Sequence, residues 1–441
     1  MARTQVTDLV VVLPGILGSR LADADGRAVW DLSGPALLRG LRGFGRSVGA
    51  LRLPKDIGDG DPGDGVVPVG LMPDLHALPG IWHPVDGYTD LLRWLERHFT
   101  LSVSDNLLTF PYDWRLSCRH GAERLKGRID LELERWRASA PERREARVVF
   151  LCHGMGGLVA RHYVERLGGH GITRRVITLG TPHRGSVRAL ADLVEGEHGE
   201  RAAGPDLGPF ARSLPSLHQL APDYACVEGP GGLAYVRDLP GLPGVDEALL
   251  ADAARFHADL RSAPPRAGLY AIAGTGQPTA TTARYAGDRL TLLTGADGDG
   301  TVPRLGGGPG PGTPYASCTP YEQHGSLQNN RAVREALRGL LGDGPPLPGD
   351  AAADPADRLG VRVLPVLPAG VPYEVTVTAP DDARLLMAEL RPADGGRPAS
   401  RALRSLGGGR YGVAFPPPEP GAYRLSVGPV TALSVIRRSA L

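Results

Sequence analysis

The stretch "RVVFLCHGMGGLVARHYVERLG", residues 147–168, constrains the fold more than any other. "RVVFL" is a short, continuous apolar run and reads as a buried strand. The residues after the glycines have helical spacing, so the glycine cluster marks a tight strand-to-helix turn. The same alternation recurs along the chain. "DLVVVLPG", "LLTFPYDW", "RRVITLGTP", "GLYAIAGTG" and "DRLTLLTG" read as strands, and "YTDLLRWLERHF", "GAERLKGRIDLELERWRAS" and "SLQNNRAVREALRGLLG" as amphipathic helices. Apolar runs separated by helices predict an α/β fold, a mostly parallel sheet covered on both faces. In such sheets the chemistry sits beyond the carboxyl ends of the strands.

Two segments interrupt that rhythm. Residues about 19–87 are rich in Gly, Pro and Asp, and residues about 186–262 carry "RSLPSLHQLAPDY" and "RDLPGLPGVDEALL". Segments this long between regular elements are expected to be cap or lid pieces over a cleft. The α/β unit with its caps is expected to fill residues 1–342. Residues 343–357, "DGPPLPGDAAADPAD", have linker composition. Residues 358–441 hold short alternating strands such as "YEVTVTAP" and "AYRLSVG", the pattern of a small immunoglobulin-like β-sandwich.

Charge excludes some partners. The chain has 49 basic and 48 acidic residues, which argues against nucleic acid or an anionic membrane as an electrostatically recruited partner. No stretch approaches the ~20 apolar residues of a membrane helix. The apolar run near the N-terminus is about six residues, shorter than a signal peptide requires. The cysteines at 118, 152, 226 and 318 are scattered, without metal-ligand spacing. A reduced, cytoplasmic protein without metal or organic cofactor is the expectation, with two disulfides as the alternative.

Cys152-His153-Gly154-Met155-Gly156 stands where a nucleophile elbow would read G-x-S-x-G, and Gly154 occupies the place of the serine. Asp299 lies in "GADGDGTVP", in a tight Gly-flanked turn after a strand. His324 lies in "YEQHGSLQNN", just before the last helix of the first unit. Elbow, Asp, His is the chain order of the α/β-hydrolase triad. Each residue also has a plainer reading. Asp299 alone would be a turn residue and His324 alone a helix-start residue. His153 and His183 would flank the motifs, Trp114 would be structural, Cys152 would point into the core, and Ser326 would cap the last helix.

With these motifs in place the chain resembles the bacterial branch of the lecithin:cholesterol acyltransferase family of lipases and acyltransferases. The residues that carry the resemblance are "LPGILGSRL" (13–21), "PYDWRLS" (111–117), "HGMGGLVAR" (153–161), "LGTPHRGS" (179–186), "SLPSLHQLAP" (213–222), "GDGTVP" (298–303) and "HGSLQN" (324–329). The sandwich lies outside it. The resemblance implies an α/β-hydrolase fold and ester chemistry on a lipid or acyl-ester ligand. It implies Asp299 as triad acid, His324 as general base then acid, and the N–H groups of Leu17 and Met155 as an oxyanion hole. Position 154 would hold the nucleophile, and glycine cannot attack a carbonyl. The expectation is therefore a catalytically impaired protein, either a natural pseudoenzyme or a variant whose serine was replaced. The alternative is a non-enzymatic ligand-sensing or scaffold protein whose C-terminal sandwich binds a protein partner.

Overall fold

The structure is a computed structural model. It describes residues 3–31, 51–78, 81–194, 207–229, 231–239, 241–262, 267–286, 289–342 and 358–438. The linker composition at 343–357 lies outside the described residues, as do the cap positions 32–50 and 195–206.

The centre is a six-stranded sheet in which every pairing is parallel. In spatial order its strands are Ala316–Cys318, Gly268–Ile272, Thr173–Leu179, Val148–His153, Leu9–Leu13 and Leu107–Thr109. The Leu9–Leu13 and Val148–His153 strands are buried at every position, which is why they read as continuous apolar runs. The pleat divides them between two cores. Leu9, Val11, Leu13, Val148, Phe150 and Cys152 face the layer containing Leu125, Ile129 and Leu133 of the Cys118–Ala138 helix. Val10, Val12, Val149 and Leu151 face Leu91, Trp94 and Leu95 of the Thr89–His98 helix and Leu337 of the Arg331–Leu341 helix. Each fully buried Val or Leu in these layers contributes roughly 1.5–3 kcal/mol. The fold is that of an α/β-hydrolase.

Two expectations change. Arg289–Gly295 does not join the central sheet. It pairs antiparallel with Thr279–Ala286 in a separate four-stranded sheet. Its burial alternates instead of running continuously, as befits a strand covered on one face. The last helix does not start at Ser326. Residues His324–Asn329 form a 3-10 turn, and Asn330 caps the Arg331–Leu341 helix by accepting from the amides of Ala332 and Val333. Ser326 is buried inside the 3-10 turn. The described parts of the two cap segments contain a three-stranded sheet (Ser19–Ala22, Ala28–Trp30, Val67–Leu71), the antiparallel pair His76–Leu78 and Ile81–Val85, and the Val187–Val194 helix.

Beyond residue 358 two sheets pack on each other. One is ordered Gly360–Arg362, Tyr373–Thr378, Arg410–Phe415, Arg404–Gly407. The other is ordered Val366–Pro368, Val430–Arg437, Gly421–Val427, Met387–Pro392, Ala399–Ala402. Tyr373, Val375, Val377, Leu425, Val427 and Ile436 fill the space between them. All pairings are antiparallel except that of Val366–Pro368 with Val430–Arg437.

This sandwich seats on the α/β unit through buried polar contacts. Arg424 Nε donates to both carboxylate oxygens of Asp86, at 3.2 and 3.1 Å, and Asn329 Nδ2 donates to the same carboxylate at 2.9 Å. Glu322 Oε1 accepts from the amide of Thr431 at 2.8 Å. Gln277 bridges twice: its Nε2 donates to the Leu359 carbonyl at 2.9 Å, and its Oε1 accepts from the Val361 amide at 3.0 Å. Asp86 is 5 % exposed, so removing its guanidinium strands a buried carboxylate. Arg424→Ala is expected to lower unfolding stability by about 3–5 kcal/mol, with Arg424→Lys recovering part of the loss, as read by urea denaturation.

Candidate active site

Gly154 stands at the end of the Val148–His153 strand with φ +49°, the left-handed region that a strand-to-helix elbow requires. Its N–H donates to the Leu179 carbonyl at 2.9 Å, and its carbonyl accepts from Thr181 Oγ1 at 2.7 Å. The neighbouring turn needs small residues. A Cβ on Gly156 would stand 2.5 Å from the Pro14 carbonyl oxygen, and one on Gly157 would stand 2.1 Å from Thr181 Oγ1.

The structure brings Asp299 and His324 to this turn. His324 Nδ1 donates to Asp299 Oδ2 at 2.9 Å, and both residues are buried. The other carboxylate oxygen, Oδ1, accepts from the amides of Thr301 at 3.0 Å and Val302 at 2.6 Å, which fixes the carboxylate's orientation. With its hydrogen on Nδ1, the neutral His324 ring leaves Nε2 as an acceptor. A Cβ placed on Gly154 would lie 3.4 Å from that Nε2 and 3.5 Å from the Gly15 Cα. The Asp299 carboxylate and the His324 ring are thus aligned, and His324 Nε2 points at a position with no side chain.

Leu17 lies in the turn after the Leu9–Leu13 strand with φ +65°. A non-glycine residue there costs about 1–3 kcal/mol, so surrounding contacts must hold it. Trp30 Nε1 donates to the Leu17 carbonyl at 2.9 Å, and the Gly18 amide donates to the Gly15 carbonyl at 3.1 Å. Met155 precedes the Gly156–Arg166 helix, so its amide belongs to the helix N-terminus, where N–H groups have no partner within the helix.

His153 takes a role that adjacency to the elbow did not reveal. Its Nε2 lies 3.0 Å from the His324 carbonyl oxygen, so Nε2 carries the hydrogen. Its Nδ1 then accepts from the Tyr88 hydroxyl at 3.0 Å, and the Tyr88 oxygen accepts from the Gly15 amide at 2.9 Å. Burial, with the His324 ring beside it, pushes the His153 imidazole down to about 3. His153 stays neutral and joins the elbow, the His324 loop and the 14–18 turn. Sequence reasoning missed Tyr88, which sits in "DGYTDLL" without a motif of its own.

The remaining candidates are structural. His183 lies 3.1 Å from Arg161 Nη1 and 3.1 Å from Thr178 Oγ1. Trp114 packs edge-on against Trp30 at 5.2 Å. Cys152 faces the core, and burial pushes its thiol well above the usual range, so it supplies no thiolate. Cys118, Cys152 and Cys226 are free thiols. Among the described residues no helix is long and apolar enough to cross a membrane, and no three His, Cys, Asp or Glu side chains are grouped to hold a metal ion.

The fold and this arrangement define a hydrolase-type chain. One family model matches part of the chain. Residues 84–205, which include the elbow, match the family model of lecithin:cholesterol acyltransferase. The match supports a lipase- and acyltransferase-like hydrolase related to that family. No curated protein matches the sequence. A chain in the crystal structure of the Tle4–Tli4 complex is similar in fold, with a TM-score of 0.51 and 17 % identity over 77 % of this chain and 98 % of that one. The lipase BlEst2 of Bacillus licheniformis in its propeptide form aligns at a TM-score of 0.41 and 12 % identity, over 98 % of this chain and 72 % of that one.

Two predictions follow from the geometry. Gly154→Ser places a side chain at positive φ and is expected to lower stability by about 1–3 kcal/mol, read as a decreased thermal midpoint. The second concerns acid. Burial lowers His153 to about 3, and His76 and His257 to about 4, from an ordinary 6.5. These rings stay neutral in the native protein while the unfolded chain protonates, so their contribution is complete above pH 6.5 and is lost as pH falls toward 4. Buried Glu322, pushed up to about 8, works in the opposite sense across that window because its native form holds the proton. His162, His183 and His218 are lowered by burial as well and add to the uptake. Unfolding near pH 5 should therefore take up at least about two protons net, with stability falling by at least roughly 2–3 kcal/mol per pH unit of acidification. Urea midpoints measured from pH 7 to 4.5 check the sign.

Proposed function

We propose that this chain is a lipase- or acyltransferase-like protein that receives a lipid or acyl ester at the 154–299–324 site and is catalytically impaired because Gly154 supplies no attacking oxygen. The observation that carries the reading is the 3.4 Å separation between His324 Nε2 and the position of a Cβ on Gly154, with His324 already hydrogen-bonded to Asp299. In this reading Asp299 holds the His324 tautomer and stabilises the imidazolium when it forms. The amides of Leu17 and Met155 receive the oxygen that becomes negative as the carbonyl is attacked. A serine at 154 would pass its proton to Nε2 as its oxygen bonds to the acyl carbon. The leaving oxygen would then take that proton from Nε2 as its bond to the acyl carbon breaks. Without the hydroxyl neither step begins. In the triad precedent, loss of the nucleophile costs about a millionfold in turnover and leaves a residual ~10³–10⁴ over water from binding and the anion cradle.

The test is hydrolysis of 4-nitrophenyl butyrate by the chain as it stands, by Gly154→Ser, and by Gly154→Ser with His324→Ala. The serine variant is expected to exceed the parent by at least about 10³-fold, and the histidine replacement to remove that gain. A folded Gly154→Ser variant no faster than its parent would overturn the ester-chemistry reading and leave a ligand-sensing or scaffold role for the chain.

A further inference from the structure

The C-terminal sandwich docks through one of its two sheets. On the outer face of the sheet that holds Val430–Arg437, Leu433 and Val435 pack with Leu75 and Ala77 of the α/β unit. Arg424 and Thr431 supply polar contacts of the same seam. The outer face of the other sheet is open. Val361, Val375, Val377 and Tyr411 point inward from its strands, so the alternate positions point outward. Residues paired across neighbouring strands share a face. Arg362 pairs with Thr376, Thr376 with Gly412, and Gly412 with Arg404, so one outward row crosses all four strands and ends in an arginine at each side. Arg410, paired with Thr378, stands in the adjoining row. All three arginines are exposed. A Cβ on Gly412 would lie 3.1 Å from Leu406 Cδ1, which puts the Leu406 side chain, 57 % exposed, over this row.

Arg362, Arg404 and Arg410 have no ion-pair partner among the described residues. Glu374 is the one acidic residue on these four strands. Asp382, in a neighbouring loop, is engaged by the amides of Gly408 and Gly409 at 3.0 and 2.8 Å. Residues 358–441 hold 11 arginines against 6 acidic residues, and the rest of the chain is net acidic. The balanced total that argued against an anionic partner therefore averages over two unlike parts. Charge and shape together select the partner. The ends of the arginine row are three strand spacings apart, roughly 14 Å, too far to converge on one small anion but suited to a plane of repeated phosphates. Leu406 adds a large apolar side chain, and so does Leu385, 87 % exposed, on the adjoining edge where the Leu403 amide donates to the Leu386 carbonyl. Nucleic acid would leave these side chains in water, whereas a phospholipid surface offers phosphates and an apolar layer together. We propose that this open sheet face docks on an anionic lipid surface, with Arg362, Arg404 and Arg410 on its headgroup phosphates and Leu406 entering the acyl boundary. The proposal stands on the sandwich and does not require ester chemistry at position 154.

The test is sedimentation of the full chain, with Gly154 in place, on vesicles of phosphatidylcholine alone or with one third phosphatidylglycerol. Binding to the anionic vesicles is expected to be about tenfold or more tighter than to the neutral ones, and to weaken as salt is raised. Arg404→Glu combined with Arg410→Glu should lower the affinity for anionic vesicles about tenfold or more, and Leu406→Ser about threefold or more. Arg124→Glu combined with Lys126→Glu makes the same change of net charge on the exposed side of the Cys118–Ala138 helix and should lower it by less than about threefold. Should the charge reversal unfold the sandwich, as read by the thermal midpoint, Arg404→Gln combined with Arg410→Gln repeats the test without adding carboxylates, again with a loss of about tenfold. No binding to anionic vesicles, equal binding to both kinds of vesicle, or equal losses from the sandwich and helix variants would overturn the proposal. So would tighter binding to a DNA duplex than to anionic vesicles. Every protein in this test keeps Gly154, so its outcome is independent of whether Gly154→Ser gains esterase activity.

Discussion

The hydrogen bond from His153 Nε2 to the backbone oxygen of His324 ties the molecule's site together. The elbow belongs to the Val148–His153 strand, whereas His324 arrives on a loop far along the chain. This strut ties the loop to the elbow itself, in addition to the His324 bond to Asp299 and the bond from the Asp86 amide to the Gly325 carbonyl. Through Tyr88 the same imidazole also reaches the Gly15 amide, so three separate turns share one rigid link. The link works only while His153 is neutral, because its Nδ1 must accept. Burial supplies that condition by disfavouring the charged ring.

The sandwich is wired into the site through polar groups that would be costly to bury alone. Asp86, Gln277 and Glu322 sit at the seam, and each finds a partner across it: Arg424, Leu359 with Val361, and Thr431. An apolar seam could slide, whereas directional contacts fix one arrangement. Because Gln277 and Glu322 flank the turns that carry Asp299 and His324, the sandwich's position and the geometry of the acid–base pair are coupled.

Backbone strain is distributed unevenly between the two turns that meet at the site. Gly154 adopts its left-handed conformation without penalty, while Leu17 adopts one with a side chain attached and is held there by Trp30. Gly154 brings neither a side chain nor backbone strain to the elbow, while the Asp299–His324 pair and the strained Leu17 turn stand around it.

Much of the α/β unit was legible in the residues alone. Strands buried on both faces must be apolar throughout, so Leu9–Leu13, Val148–His153 and Thr173–Leu179 announce themselves, and the glycines after Val148–His153 mark the elbow. The order of Gly154, Asp299 and His324 pointed to residues that the fold does bring together. Arg289–Gly295 was harder, because a one-face strand and a central strand look alike over seven residues. Ser326 and Asn330 are both good capping residues, and only the backbone conformation at 330 selects between them. Local spacing thus determined which segments are strands and helices and which residue types crowd the turns. Tertiary structure alone decided that Tyr88 braces the 14–18 turn, that His153 serves as a strut, and that residues beyond 358 seat on the α/β unit through Asp86, Gln277 and Glu322. Those contacts join positions far apart along the chain, and their energy depends on burial and hydrogen-bond direction, which no local pattern encodes.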